Sequence, residues 1–226
     1  MKNILLTFIL FLVAALSVGA PMLQTSEAAV AHDVREKETL LGKQEMSLEN
    51  RHRVSSVNAV FRDNMLLTLW YMSGKVEKPS AIDWDAIRKS ATFTVTLKPG
   101  ETFAFHDDIL PKYAGTLVQT TNAHFNQQEG FLTDGLYYGD GVCHLASLIT
   151  WAATDAGLAV YAPVRHDFAP VPAMPREYGT SIYVNPGVSS GDQMQNTYVT
   201  NNQDATVKLV FVSTGKNLTL EVVKVK

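Results

Sequence analysis

The C-terminal end of the chain constrains the fold more tightly than any other stretch. Ala205 to Val212 and Leu218 to Val225 are dense in valine, leucine and phenylalanine and are joined through Thr214-Gly215-Lys216. That pattern predicts a β-hairpin with a short loop. Upstream, Ala91 to Leu97 alternates apolar residues with threonine before Lys98-Pro99-Gly100-Glu101, which reads as a strand entering a turn. Thr180 to Val184 and Thr197 to Thr200 carry similar β chemistry, and Gly157 to Tyr161 reads as a short strand.

Two helical periodicities stand beside these strands. Val57, Val60, Phe61, Met65, Leu66, Leu69 and Met72 recur at helical intervals before Gly74, and Val142, Leu145, Ala146, Ile149, Ala152, Ala153 and Ala156 do so before Gly157. Together the two patterns predict an α+β fold, with helix packed on a mainly antiparallel sheet in a single domain that follows an N-terminal export segment.

Composition sets the outer limits. The chain has 226 residues and one cysteine, so no intrachain disulfide framework is available and a hydrophobic core must supply stability. Net charge is −3 with no run of lysine and arginine, which argues against nucleic acid as a partner. Lys2 precedes an apolar stretch from Ile4 to Ala20, and small residues follow in Ser26-Glu27-Ala28 and Ala29-Val30-Ala31. Residues 1–31 therefore read as a signal peptide or an N-terminal membrane anchor, and both readings place the folded part outside the cytoplasmic membrane. Residues 32–56 are charged and weakly patterned and read as a linker, which leaves 57–226 for the domain. Within it, Gly115 to Gly141 is a long loop rich in glycine and polar residues, the kind of segment that carries function.

The candidate chemistry sits where that loop meets the second helix. Gly139-Asp140-Gly141-Val142-Cys143-His144 places the sole cysteine at a helix N-terminus, where exposed amide groups and the helix dipole favour thiolate. A nucleophilic cysteine needs a base. His144 is adjacent in sequence, but neighbouring helical positions point about 100° apart, so His166 is the better candidate. Asp167, Asn185, Asp192 and Asn196 are the residues available to orient the histidine. Asp140, Gly141, His144 and Tyr138 are expected to contact substrate, with Asp140 either capping the helix or repelling substrate carboxylates. Phe125, Phe131, Tyr137 and Tyr138 either line a groove or fill the core edge. Cys143, His144, His166, His124 and His106 are metal-ligand types at spacings that match no familiar zinc pattern, so no metal is expected. No cofactor is expected either, because no G-K-[ST] sequence follows Gly139 and Gly141.

These same residues carry a resemblance to the VanW-like family. Leu97-Lys98-Pro99-Gly100-Glu101-Thr102-Phe103-Ala104-Phe105 is similar to that family's "lkPGExFSF" turn, and Gly139 to His144 is similar to its "GGGVCQ". The resemblance continues through Ala152-Ala153, Ala156-Gly157-Leu158, Arg165-His166 and Tyr198-Val199-Thr200-Asn201-Asn202, and it runs from about Arg62 to Val212. His144 stands where the family has glutamine and Asp140 where it has glycine, and the family's "GRDATV" corresponds to Arg176 to Ile182 without its aspartate. The resemblance implies a bacterial cell-envelope setting with a link to peptidoglycan. The order of a cysteine at a helix start followed by a histidine is also similar to papain-like and NlpC-type cysteine hydrolases.

Three functions follow as expectations. The first is acyl transfer or amide hydrolysis on peptidoglycan stem peptides, with Cys143 as nucleophile, His166 as base and the amides near Val142 to His144 as oxyanion donors. The second is a non-catalytic module that binds peptidoglycan or an envelope peptide and keeps Cys143 as a packed residue. The third is a bridging envelope protein with no small-ligand pocket beside Cys143.

Overall fold

A computed structural model describes residues 38–136, 138–185 and 189–225. The expected export segment, 1–31, and Tyr137 lie outside these residues. No helix among the described residues is long and apolar enough to cross a membrane.

The predicted hairpin is the centre of the first sheet. Strands β7 (Val207–Ser213) and β8 (Asn217–Val225) pair antiparallel, from Val207 opposite Lys224 to Ser213 opposite Leu218. Strand β2 (Ala91–Leu97) joins β7, and β1 (Glu38–Ser47) joins β8, giving the antiparallel order β1-β8-β7-β2. The alternation in β7 is complete, with Val207, Leu209 and Phe211 fully buried, as a sheet with one covered face requires.

Strand β1 corrects the linker expected over residues 32–56. Its sequence hides the strand because most of its side chains face solvent, and its charges pair across the edge: Lys43 Nζ to Glu221 at 2.8 Å, and Lys208 Nζ to Glu38 at 2.9 Å. Charged edge strands of this kind resist pairing with foreign chains. Helix α3 (Val142–Asp155) crosses β1 at Gly42, where a Cβ would lie 2.9 Å from the Ala152 carbonyl oxygen and 3.0 Å from the Ala156 Cβ.

The second sheet is built from short strands in the order β4-β3-β6-β5: β3 (Thr102–Ala104), β4 (Leu117–Gln119), β5 (Ala159–Tyr161) and β6 (Tyr198–Thr200). Only β3 and β4 run parallel within it. Both crossings between sheets meet at one knot. The Gly100 amide donates to the Asn201 carbonyl at 2.8 Å and the Asn201 amide donates to the Glu101 carbonyl at 2.9 Å, while Asn201 Nδ2 donates to the Leu97 and Ala205 carbonyls at 2.8 and 2.9 Å. The Pro-Gly-Glu turn and the Asn-Asn segment are thus one feature, joining β2 to β3 and β6 to β7.

Helix α1 (Ser55–Met72) and α3 share the core with the sheets. Met65, Leu66, Leu67 and Leu69 of α1 and Leu145, Leu148, Ile149 and Ala152 of α3 are all fully buried, and each such leucine or isoleucine contributes about 2 kcal/mol relative to exposure. The short helix α2 (Trp84–Ile87) is capped by Asp83, and Arg88 just beyond it pairs with the buried Asp63 of α1 at 2.6 Å. A last helical turn, α4 (Ser189–Asp192), precedes β6.

Candidate functional site

Helix α3 begins where the backbone permits no side chain. Gly141 is its N-cap at φ +98°, and a Cβ there would lie 2.6 Å from the Phe61 carbonyl oxygen of α1. Both the dihedral and the approach demand glycine. The loop before it is fastened by Asn64, a fully buried residue of α1. Its Nδ2 donates to the Leu132 and Asp140 carbonyls at 3.0 and 2.9 Å, and its Oδ1 accepts the Leu132 amide at 2.8 Å. Sequence reasoning missed Asn64. Its place in Arg62-Asp63-Asn64, between Phe61 and Met65, does not set it apart from its polar neighbours.

Thr180 to Val184 is not the strand its composition suggests. Only Thr180 bridges another strand-like residue, Arg165, and the segment instead runs along polar side chains of α3. The Thr180 amide donates to Ser147 Oγ at 2.9 Å, Thr150 and Thr180 hydroxyls meet at 2.9 Å, and the Ile182 amide donates to Cys143 Sγ at 3.3 Å. The Cys143 thiol in turn donates to the Ile182 carbonyl at 3.6 Å. Cys143 and Ser147, four residues apart, lie on one helix face and serve the amides of Thr180 and Ile182, while the alternate amides of Ser181 and Tyr183 donate to the Val164 and Gln195 carbonyls at 2.9 and 3.2 Å.

This geometry decides the state of the thiol. Burial pushes the Cys143 pKa up to about 11, reinforced by the Asp140 carboxylate and opposed only in part by the Ile182 bond. The shift is opposite to the thiolate expected from a helix N-terminus, because desolvation of the charge outweighs the dipole.

His166, the expected base, shares a cleft with Cys143 but is not hydrogen-bonded to it. Its Nδ1 meets the Ala169 carbonyl at 2.8 Å, and its ring lies against Phe168 at 4.0 Å and His144 at 5.9 Å between centroids. None of the four residues weighed as orienters bonds His166. Asn196 holds the amides of Phe105 and His106 and the carbonyls of His106 and Asp108. Asp192 is buried and accepts the Asn185 amide, and Asp167 is a surface partner of Arg165.

His144 is buried against the edge of Phe61, and burial, followed by the charge of Arg51 and the neighbouring rings of His166 and His52, lowers its pKa to about 3. Arg51 is only 2% exposed. Asp140 does not cap α3: its carboxylate accepts the Asp134 amide at 3.0 Å, and burial raises its pKa to about 6.

These groups line a cleft of about 620 Å³, within the usual range for small-molecule and peptide sites. Cys143, His144, Asp140, Gly141 and His166 share its wall, and Tyr138, Phe168 and Tyr183 border it with 43%, 77% and 48% of their surface exposed. Phe125 and Phe131 are buried at the core edge, although Phe125 also reaches the cleft. His124, which also lines the cleft, is held between carboxylates, with Nδ1 2.6 Å from Glu129 and Nε2 3.1 Å from Asp107. Burial lowers its pKa, but the bond to Glu129 and the charges of Asp107 and Glu129 outweigh it and raise the pKa overall. His106 is buried and bonded to the Gln195 carbonyl. Among the described residues no three histidine, cysteine or carboxylate side chains are placed to hold a metal ion.

The sequence model of the family described as "VanW like protein" matches residues 87–223, from just before β2 to the end of β8. The chain belongs to the VanW-like family. The match takes in every motif that carries the resemblance, and the VanW-like region supplies α3, the 180–184 segment and the three histidines that line the cleft. Helix α1, with Phe61 and Asn64 beneath the glycine turn, lies outside the matched residues although it completes the site. No curated protein and no solved structure matches the chain.

Proposed function

We propose that this VanW-like domain is a non-catalytic binding module of the bacterial cell envelope, exported through its N-terminal segment, and that its cleft takes peptidoglycan stem peptides. The observation that carries this reading is the commitment of Cys143 to the Ile182 backbone, as a neutral thiol, beside an open cleft bordered by exposed aromatic rings. A cleft of this volume speaks against a protein that only bridges partners. Aromatic rings at a rim provide area for stacking and apolar contact.

A second reading keeps the cysteine catalytic, and it is favoured by one observation: Cys143, His144 and His166 line the same cleft. It requires Sγ to leave Ile182 and His166 Nε2 to reach it before acyl transfer begins. The two readings separate on substitution. Retention of the full chain on purified cell walls, and its affinity for a soluble stem tetrapeptide, are expected to fall about tenfold in Phe168→Ala with Tyr183→Ala, and to stay within about twofold in Cys143→Ala. Cleavage or transfer of the tetrapeptide that disappears in Cys143→Ala while binding persists would establish the catalytic reading instead.

A further inference from the structure

We propose that His144 and His166 form a neutral donor–acceptor pair that reads the backbone carbonyl and N–H of one residue in a peptide ligand of the cleft, the first supplying an N–H and the second a lone pair. The proposal rests on the binding role given to the cleft above and names the chemistry recognised there.

The tautomers follow from what each buried nitrogen meets. His166 Nδ1 faces the Ala169 carbonyl at 2.8 Å. A carbonyl only accepts, so Nδ1 carries the hydrogen and Nε2 of the neutral ring keeps its lone pair. His144 is 4% exposed, and its Nδ1 is sealed from solvent with no partner among the described residues. A sealed N–H without an acceptor wastes a donor. A lone pair there instead sits in the positive field of Arg51, which favours it. The hydrogen of His144 is therefore on Nε2. Neither Nε2 is sealed, neither has a protein partner among the described residues, and both rings line the cleft. The rings stand 5.9 Å apart at 75°, held by Phe61 on one side and Phe168 on the other.

Two fixed points of opposite sense select their ligand. A carboxylate would set its oxygen lone pairs against that of His166, and an ammonium would set its hydrogens against the N–H of His144. One residue of an extended peptide presents its own N–H and its own carbonyl oxygen on the same side of the chain and satisfies both, whereas the carbonyl and N–H of a single trans amide point opposite ways.

The test uses the full chain labelled with nitrogen-15 at histidine. Long-range proton–nitrogen spectra at pH 7.5 should show His144 with its hydrogen on Nε2 and His166 with its hydrogen on Nδ1. N-acetylalanine methylamide should then move both Nε2 signals. O-acetyl-lactate methyl ester, which keeps the carbonyls and lacks every N–H, should move His144 alone and need about tenfold more ligand, the equivalent of one neutral hydrogen bond. His144→Gln, which retains an N–H donor, should bind the amide within about threefold of the parent, and His144→Phe about tenfold more weakly. A hydrogen on His144 Nδ1, equal responses to amide and ester, or equal responses to amide and methyl glucoside would overturn the pair. If the pair behaves as expected with the amide and stem peptides do not bind, the stem-peptide assignment falls and the pair stands. If stem peptides bind without moving either ring, the pair falls and the stem-peptide assignment stands.

Discussion

His144 and His124 line the same cleft, and their surroundings drive them to opposite states. His144 is packed under Phe61 with Arg51 and His52 nearby and no carboxylate bonded to it, and its pKa falls to about 3. His124 lies between Glu129 and Asp107, and its pKa rises. Around His144 the cleft has a largely neutral wall, with a protonated Cys143 beside the single carboxylate of Asp140, and around His124 it has a wall of paired charge. Histidine is the same side chain in both places, so its identity in the sequence says little about its role until its neighbours are known.

The neutral wall breaks first at Gly141. Gly141→Ala puts a Cβ 2.6 Å from the Phe61 carbonyl at a backbone angle that side chains rarely adopt, and a loss of at least about 3 kcal/mol is expected, read as a fall in the midpoint of chemical unfolding. Asn64→Ala should follow at about 2 kcal/mol, because three backbone groups of Leu132 and Asp140 lose their partner together. If the same substitution left the unfolding midpoint unchanged, the glycine turn would not depend on α1 and the rigidity of the neutral wall would need another source.

The two walls also differ in how they respond to pH. Asp140, in the loop that opens the neutral wall, has a folded pKa of about 6 against an ordinary 3.8. For an acid raised by burial, stability is greatest while the group is protonated and is lost as pH rises from about 4 through 6. Asp140→Asn should remove that loss and add about 1 kcal/mol at pH 7, after solvent screening of this half-buried group is allowed for. His124 has the other sign pattern for a base: its contribution is complete below about 6.5, the unfolded value, and disappears as pH rises through its raised folded pKa. Unfolding midpoints between pH 4 and 9 for Asp140→Asn and His124→Gln should therefore flatten different parts of the profile, the lower part and the upper part respectively. A shared window would mean that the two walls titrate as one unit.

Much of this fold is legible in the sequence where period and turn chemistry agree. The hairpin of β7 and β8, strand β2 and helices α1 and α3 all lie where the pattern puts them, because each buries one regular face. Strand β1 escapes notice because its partner, β8, is far away in sequence and its exposed edge is written in charged residues. Thr180 to Val184 misleads for a related reason: β-type residues need partners, and here those on one side are a row of side chains on a helix while the other side meets the separate carbonyls of Val164 and Gln195. At the site, the glycines, Cys143, His144 and His166 are visible as a group. The buried Arg51 that biases His144, the clamp of Asn64 and the Ile182 backbone that engages the thiol are tertiary facts with no local signature.

The smallest expected effect is also the one that most sharpens the contrast between the walls. Cys143→Ser replaces two long sulfur contacts to Ile182, at 3.3 and 3.6 Å, with a shorter hydroxyl of the same bonding sense. Stability at pH 7 should change by less than about 1 kcal/mol. The difference should emerge only in base: a thiol whose pKa is raised from 9.0 to about 11 in the folded state destabilises that state as pH climbs above 9, and serine has no such transition. The parent should therefore lose stability relative to the variant between pH 9 and 11, and its alkylation by iodoacetamide should accelerate over the same interval. Rapid alkylation of the folded parent with a midpoint below about 8.5, the ordinary thiol value, would mean that Cys143 is poised as a thiolate and that the neutral wall is an ionic one as well.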